Sequence, residues 1–253
     1  MNSGLVLLDI FSYSCMNCLR SLQSIKKIDR IYKKHGLKIV LVHPPEWYFE
    51  KNINNVLSGM KKSNINFPLI VDNNKKIIKK FKIRFWPTQI LLKDGKVVYK
   101  HIGEGNYSKL EDSIIKILKI KRIRYFKKEP KFSKFPTIYL GKGKNGNISK
   151  TIYHEKFGTV FISGKWVQKE EFLQSKGIGS LTLLIKGSVI NFVAESKSQK
   201  PVNVKISVDG KFIKNIKAKN PGLYNIARLS GTKERKLTLN ANKNLAVYSF
   251  SFQ

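Results

Sequence analysis

Two cysteines three positions apart, Cys15 and Cys18, stand where an apolar run gives way to an amphipathic repeat, and the chain has no others. The run Leu5-Val6-Leu7-Leu8-Asp9-Ile10-Phe11 reads as a strand buried on both faces. It leads through Ser12-Tyr13-Ser14 into Cys15-Met16-Asn17-Cys18. Leu19, Leu22, Ile25, Ile28 and Ile31 then recur at steps of three with polar residues between them, the pattern of an amphipathic helix that Gly36 would end. A zinc site would need two more Cys or His ligands at matching spacing. The four histidines, His35, His43, His101 and His154, are scattered singly, so no metal is expected.

A disulfide exchanger must turn one thiol into a thiolate, the nucleophilic form. A C-x-x-C that closes a strand and opens a helix does this by placing Cys15 against unpaired N–H groups and the positive end of the helix dipole. Cys18, one turn in, would be shielded and able to attack a mixed disulfide from within. The chemistry needs no cofactor beyond the pair, which would cycle through a Cys15–Cys18 disulfide. Asp9 falls six residues before Cys15 inside the apolar run, where an acid is costly unless it has a task. Its functional reading is proton acceptor for Cys18.

Residues 37–42 form a second buried-strand pattern, closed by His43-Pro44-Pro45. Residues 50–63 read as a helix, 67–71 as a short strand and 77–81 as a brief helix. Residues 88–92 and 97–102 flank Lys93-Asp94-Gly95-Lys96 and predict a hairpin, and 107–118 predicts a last helix. The order β-α-β-α-β-α-β-β-α over residues 1–118 implies a mixed sheet with helices on both faces. Residues 119–134 carry eight basic residues, one acid and one proline without a sustained period, and read as a linker. From 135 to 253 the pattern changes to short strands: 137–140, 159–162, 181–185, 188–194, 202–208, 211–216, 224–227, 236–239 and 245–252. Turns such as Asp209-Gly210 and Asn220-Pro221-Gly222 separate them. That spacing predicts an all-β sandwich of jelly-roll type.

Charge is the other bias: 49 Lys and Arg against 16 Asp and Glu, a net +33 spread along both halves. Attraction to an anionic lipid, polysaccharide or nucleic acid is one reading. Compositional drift is the favoured one, because the densest basic cluster lies in the expected linker and no nucleic-acid-binding signature accompanies it. No apolar run approaches the ~20 residues that cross a bilayer, and no signal peptide is evident at the N-terminus.

With these motifs assembled, residues 4–118 resemble the thioredoxin superfamily. The resemblance assigns Asp9 to the buried acid beneath the pair, and Cys15 and Cys18 to the nucleophilic and resolving cysteines. It makes Trp86-Pro87-Thr88 a cis-proline loop that binds substrate backbone, and Gly103 the glycine before the last helix. A narrower likeness rests on four segments: residues 12–20, His43-Pro44-Pro45-Glu46 with Phe49-Glu50, Arg84-Phe85-Trp86-Pro87, and residues 101–107 (His-Ile-Gly-Glu-Gly-Asn-Tyr). These resemble the C-terminal region of DipZ-type proteins, which joins a TlpA-like thioredoxin domain to a carbohydrate-binding-module-like β-sandwich. The likeness implies protein thiol or disulfide substrates, an upstream thiol electron donor that is membrane-bound in the DipZ arrangement, and an extracytoplasmic setting.

Other residues carry weaker signals. Glu46 and Glu104 are candidates for the surroundings of the site or plain loop acids. Trp86 packs against the disulfide or fills core. Trp47, Trp166 and Tyr153 are candidate sugar-stacking faces, with a core or anchoring role preferred for the two tryptophans. The β-sandwich would then position the enzyme, through a glycan or, preferably, through charge on an anionic surface, since residues 135–253 hold 20 basic and six acidic residues. The rival reading is a glycan- or partner-binding protein in which the C-x-x-C is a relic.

Overall fold

The structure is a computed structural model and describes residues 4–121, 125, 126, 128, 135–150, 156–198 and 200–253. The chain divides into two compact units, Met1–Phe132 and Ser133–Gln253.

In the first unit, β1 (Leu5–Ile10), α1 (Met16–Tyr32), β2 (Leu37–His43), α2 (Ile53–Lys62) and β3 (Leu69–Val71) are followed by α3 (Lys76–Lys80), β4 (Thr88–Lys93), β5 (Lys96–Ile102) and α4 (Tyr107–Leu118). This is the expected order. The sheet runs β3-β2-β1-β4-β5, with β1, β2 and β3 parallel and β4 antiparallel to both β1 and β5. β1 is central, which is why its sequence is apolar apart from Asp9. Leu8 and Ile10 pack with Val42, Ile78, Ile83 and Ile90 on one face. Asp9 points to the other face, where Gln89 lies directly across from it on β4. The helix α1 buries Leu22, Ile25, Ile28 and Tyr32 along one stripe, and Gly36 closes the following 3-10 turn at φ 95.

Within the expected linker, residues 122–124, 127 and 129–134 lie outside the described residues. Phe126 is buried, stacks near Tyr107 with ring centroids 5.6 Å apart, and donates its backbone N–H to Glu111 Oε2 at 2.8 Å. The first unit therefore reaches past Leu118.

The second unit contains β6 (Ile138–Tyr139), β7 (Asn147–Ser149), β8 (Thr159–Gln168), β9 (Leu173–Lys186), β10 (Val189–Ser196) and β11 (Val202–Val208). β12 (Lys211–Ala218), β13 (Gly222–Arg228), β14 (Glu234–Ala241) and β15 (Leu245–Phe252) complete it. Hydrogen bonds join seven of them in the order β12-β11-β14-β9-β15-β10-β13, with β6 paired to β15, β8 to β9 and β7 to β8, around a core that includes Val160, Leu183, Phe192, Val204, Leu239 and Phe250. The sheet is continuous because β9 joins β14 to β15. Its start, Leu173 and Gln174, pairs with β15, and residues 179–186 pair with β14.

That long β8–β9 hairpin is where the sequence reading falls short, since it assigned only residues 159–162 and 181–185 to strand. Gly164, Gly177 and Gly179 interrupt the β pattern in sequence, yet in the structure glycine is what lets the strands bend. The register shifts between Gly164 and Trp166. A Cβ on Gly179 would sit 2.5 Å from the Ser163 carbonyl oxygen and 2.6 Å from Trp166 Nε1. The three-residue β7 was also missed.

Candidate active site

Cys15 caps α1. Its backbone is extended (φ −84, ψ 113), its N–H is donated to the Ser12 carbonyl at 3.2 Å, and its Sγ accepts the Cys18 N–H at 3.2 Å. Both cysteines are free thiols. Cys15 is partly exposed and Cys18 fully buried. Burial first, then the hydrogen bond and charge of Cys15 and the charge of Glu46, push the Cys18 thiol well above the usual thiol range. The two sulfurs are thus chemically unlike: one meets solvent at a helix start, and the other is held protonated in the interior.

Asp9 is completely buried. Gln89 Nε2 donates to its Oδ1 at 2.9 Å and also to Ser21 Oγ on α1 at 3.2 Å. Its Oδ2 has no hydrogen-bond partner among the described residues. Burial lifts the carboxyl from 3.8 to about 7, with the Gln89 hydrogen bond opposing. The charge of Asp9 acts on Tyr107, whereas the carboxylate whose charge acts on Cys18 is Glu46.

The Trp86–Pro87 peptide is cis, Pro87 and Thr88 are buried, and Thr88 Oγ1 donates to the Phe85 carbonyl at 2.7 Å. Two contacts tie this loop to its neighbours. Gly103 N–H donates to the Pro87 carbonyl at 2.8 Å, and the Trp86 indole N–H donates to Glu46 Oε2 at 3.1 Å. Glu104 forms a fork-to-fork pair with Arg20, Nε to Oε1 and Nη2 to Oε2 both at 2.8 Å, and Arg20 Nη2 also reaches Asn17 Oδ1 between the cysteines at 2.5 Å. Glu46 therefore joins the cis-proline loop to the electrostatics of Cys18, and Glu104 braces the C-x-x-C turn.

The sequence reading left His43 as a singleton and quoted Glu50 only inside a motif. The structure brings them together behind the cysteine turn. Glu50 is fully buried, and its Oε1 accepts from Ser12 Oγ and Ser14 Oγ, both at 2.6 Å. Its Oε2 accepts the Glu46 N–H at 2.7 Å. His43 lies between Phe11 and Tyr13, with centroids at 5.4 and 5.8 Å, and its Nε2 accepts the Tyr13 N–H at 3.4 Å. Burial lowers its pKa to about 4. The available signal was positional, because both residues end or follow buried segments, where a titratable side chain is costly.

Among the sugar-stacking candidates, Trp47 and Trp166 are buried at 2% and 7% exposure, and Trp166 donates its indole N–H to the Ser163 carbonyl at 3.0 Å. Both fill core, and neither offers an open face. Tyr153 and His154 lie outside the described residues. No group of three or more His, Cys, Asp or Glu among the described residues could hold a metal, and no described helix is long and apolar enough to cross a membrane.

Residues 3–97 match a family described as thioredoxin-like, and residues 136–252 match one described as a thioredoxin-like C-terminal domain. The chain is 34% identical over 120 residues to Protein DipZ of Mycobacterium tuberculosis, covering 47% of this chain and 17% of that protein. It is 32% identical over 108 residues to human NHL repeat-containing protein 2, covering 42% of this chain and 15% of that protein. To the thiol-disulfide oxidoreductase ResA of Bacillus cereus it is 31% identical over 113 residues, covering 44% and 62%. The chain thus spans less than a fifth of the length of the first two of these relatives.

Proposed function

We propose that the first unit, whose residues 3–97 match a family described as thioredoxin-like, exchanges disulfides with protein substrates through Cys15 and Cys18. The observation that carries this reading is the asymmetry of the pair: Cys15 caps α1 with its sulfur receiving the Cys18 N–H, while Cys18 is buried with its thiol pushed up.

In the reducing direction, the Cys15 thiolate attacks one sulfur of a substrate disulfide and the other leaves as a thiolate that takes up a proton. Cys18 then gives up its proton and attacks Cys15 Sγ. The Cys15–Cys18 disulfide forms as the mixed disulfide breaks, and the substrate leaves as a dithiol. Two electrons pass to the substrate, so an upstream dithiol donor must restore the pair. Asp9 is assigned the Cys18 proton, because burial pushes its carboxyl up to about 7 and its Oδ2 has no hydrogen-bond partner among the described residues. Glu46, whose charge acts on Cys18, is the competing acceptor. The backbone beside the cis Pro87 receives the substrate strand, with Trp86 and Thr88 flanking it.

The second unit, on this reading, positions the first. Its charge is mostly Lys and its candidate tryptophan is buried, which favours weak attachment to an anionic surface over glycan stacking. Such binding fades as salt rises, whereas stacking on a sugar persists. Insulin reduction by dithiothreitol tests the catalytic proposal. The wild-type chain accelerates it, and a rate equal to that of Cys15→Ser contradicts the reading.

A further inference from the structure

We propose that Glu50 is a positioning residue for the cysteine pair, holding with one buried carboxylate both the loop that delivers Cys15 and the segment that carries Glu46. The proposal rests on the disulfide-exchange reading above and deepens it.

Glu50 sits in the 3-10 turn Tyr48–Lys51 and has no solvent exposure. Three hydrogen bonds of 2.6 to 2.7 Å converge on it, from the Ser12 and Ser14 hydroxyls and the Glu46 N–H. An ionised carboxylate accepts at both oxygens and answers all three. A protonated acid would turn one oxygen into a donor and lose part of that match. Burial raises the Glu50 pKa, while the hydrogen bonds from Ser12, Ser14 and the Glu46 and Trp47 amides lower it.

His43 does not neutralise this charge. Its Nε2 is 3.9 Å from Glu50 Oε2, but that nitrogen accepts the Tyr13 N–H and so presents a lone pair. Glu50 is balanced by hydrogen bonds from the loop itself, which ties the charge to the loop's geometry. A carboxylate taken out of water costs several kcal/mol unless its partners are well placed. A merely space-filling role could be met by an apolar side chain without that cost.

The three bonds reach the parts of the site that must stay in register. Ser12, held through its hydroxyl, offers the carbonyl that accepts the Cys15 N–H, so it sets how Cys15 enters the helix. Glu46, held through its N–H, accepts the indole of Trp86 beside Pro87, and its charge acts on Cys18. Glu50 thereby links the nucleophile's turn, the carboxylate whose charge acts on the resolving cysteine and the cis-proline loop.

The test uses the full chain with Glu50→Ala, Glu50→Gln and the double variant Ser12→Ala/Ser14→Ala. Three quantities are read: the rate of Cys15 alkylation by iodoacetamide at pH 7, the dithiol–disulfide equilibrium against glutathione, and the circular dichroism spectrum. With the fold retained, Glu50→Ala slows alkylation roughly two- to fivefold, the span of an anion's stabilisation at a helix N-terminus, and moves the equilibrium toward the disulfide. The serine double variant does the same. Glu50→Gln, which keeps its shape and one acceptor oxygen, does so less.

If Glu50→Ala does not fold, the serine variant, which loses only two hydroxyls, decides the matter. A rate and an equilibrium unchanged from wild type in Glu50→Ala, or in the serine variant where that replaces it, overturn the proposal. Neither readout needs a protein substrate. Absence of insulin reduction would therefore count against the exchange reading without deciding the role of Glu50.

Discussion

The two units bury polar groups in different ways. In the first, the buried set includes Asp9, His43, Glu50, Asp72 and Glu111 as well as Cys18. In the second, the buried polar residues among those described are Thr159, Gln174, Ser175, Asn191, Ser196, Ser249 and Ser251, none of which carries a titratable side chain. Burying an ionisable group costs far more than burying an amide or hydroxyl that finds a hydrogen bond. The first unit bears that cost chiefly around its cysteines, the distribution expected of a reactive centre. The second keeps its charge on the surface and its interior neutral, as a scaffold would.

The largest effect expected is on catalysis. Cys15→Ser removes the proposed nucleophile and lowers insulin reduction by roughly a thousandfold or more, to the uncatalysed rate. No substitution of a surface lysine in the second unit should approach this in the same assay. A variant of the second unit that abolishes reduction while leaving the first unit folded would break the division of labour.

Asp9→Asn comes next and sharpens the contrast by moving two quantities in opposite directions. Insulin reduction at neutral pH falls by roughly ten- to a hundredfold if Asp9 takes the Cys18 proton. A matching loss in Glu46→Gln, with Asp9→Asn active, would transfer the role to Glu46. Stability rises instead. The folded-state pKa of about 7 lies above the ordinary 3.8, so the folded protein binds more protons than the unfolded chain between those values. The Asp9 contribution to stability therefore falls as pH rises from about 4 to about 7, while that of buried His43, with its pKa lowered to about 4, runs the other way. Asp9→Asn abolishes the Asp9 slope and gains on the order of 4 kcal/mol at pH 8, with little difference below pH 4. Denaturant titrations at the two pH values check it.

Much of the first unit was legible because its elements announce themselves locally. Helix α4 has the expected bounds, and in the second unit so do β11 and β15, where apolar residues alternate or run together without interruption. The cysteine pair was equally plain, since both residues and their context lie within one turn of helix. What escaped was of two kinds. The β8–β9 hairpin was hidden by glycines that break a strand pattern in sequence but permit a sharp bend in space. The Glu50 cluster was hidden by distance along the chain: Ser12 and Glu50 are 38 positions apart, and only the parallel pairing of β1 with β2 brings them together.

That hairpin supplies the matching test in the second unit. Gly179→Ala places a methyl against the Ser163 carbonyl and the Trp166 indole, and should destabilise the second unit by about 2–4 kcal/mol. Thiol labelling in the first unit should not change. Domain-resolved thermal unfolding reads both, and a coupled loss of Cys15 reactivity would show that the units are not energetically separate.

Ser175→Ala is the mildest. Ser175 Oγ donates to the Asn242 carbonyl at 2.6 Å and accepts the Leu245 N–H at 2.9 Å. Losing both costs about 1–2 kcal/mol in the second unit, again with insulin reduction unchanged.

The most direct test of the central claim is the order in which the two thiols react. The fully reduced chain is treated with a limiting amount of iodoacetamide near pH 7, and the sites are located by peptide mass spectrometry. Cys15, partly exposed at the start of α1, should be labelled well before Cys18, which is buried with its thiol pushed up. Equal labelling, or labelling of Cys18 first, would contradict the assignment of nucleophile and resolving cysteine on which the proposed mechanism stands.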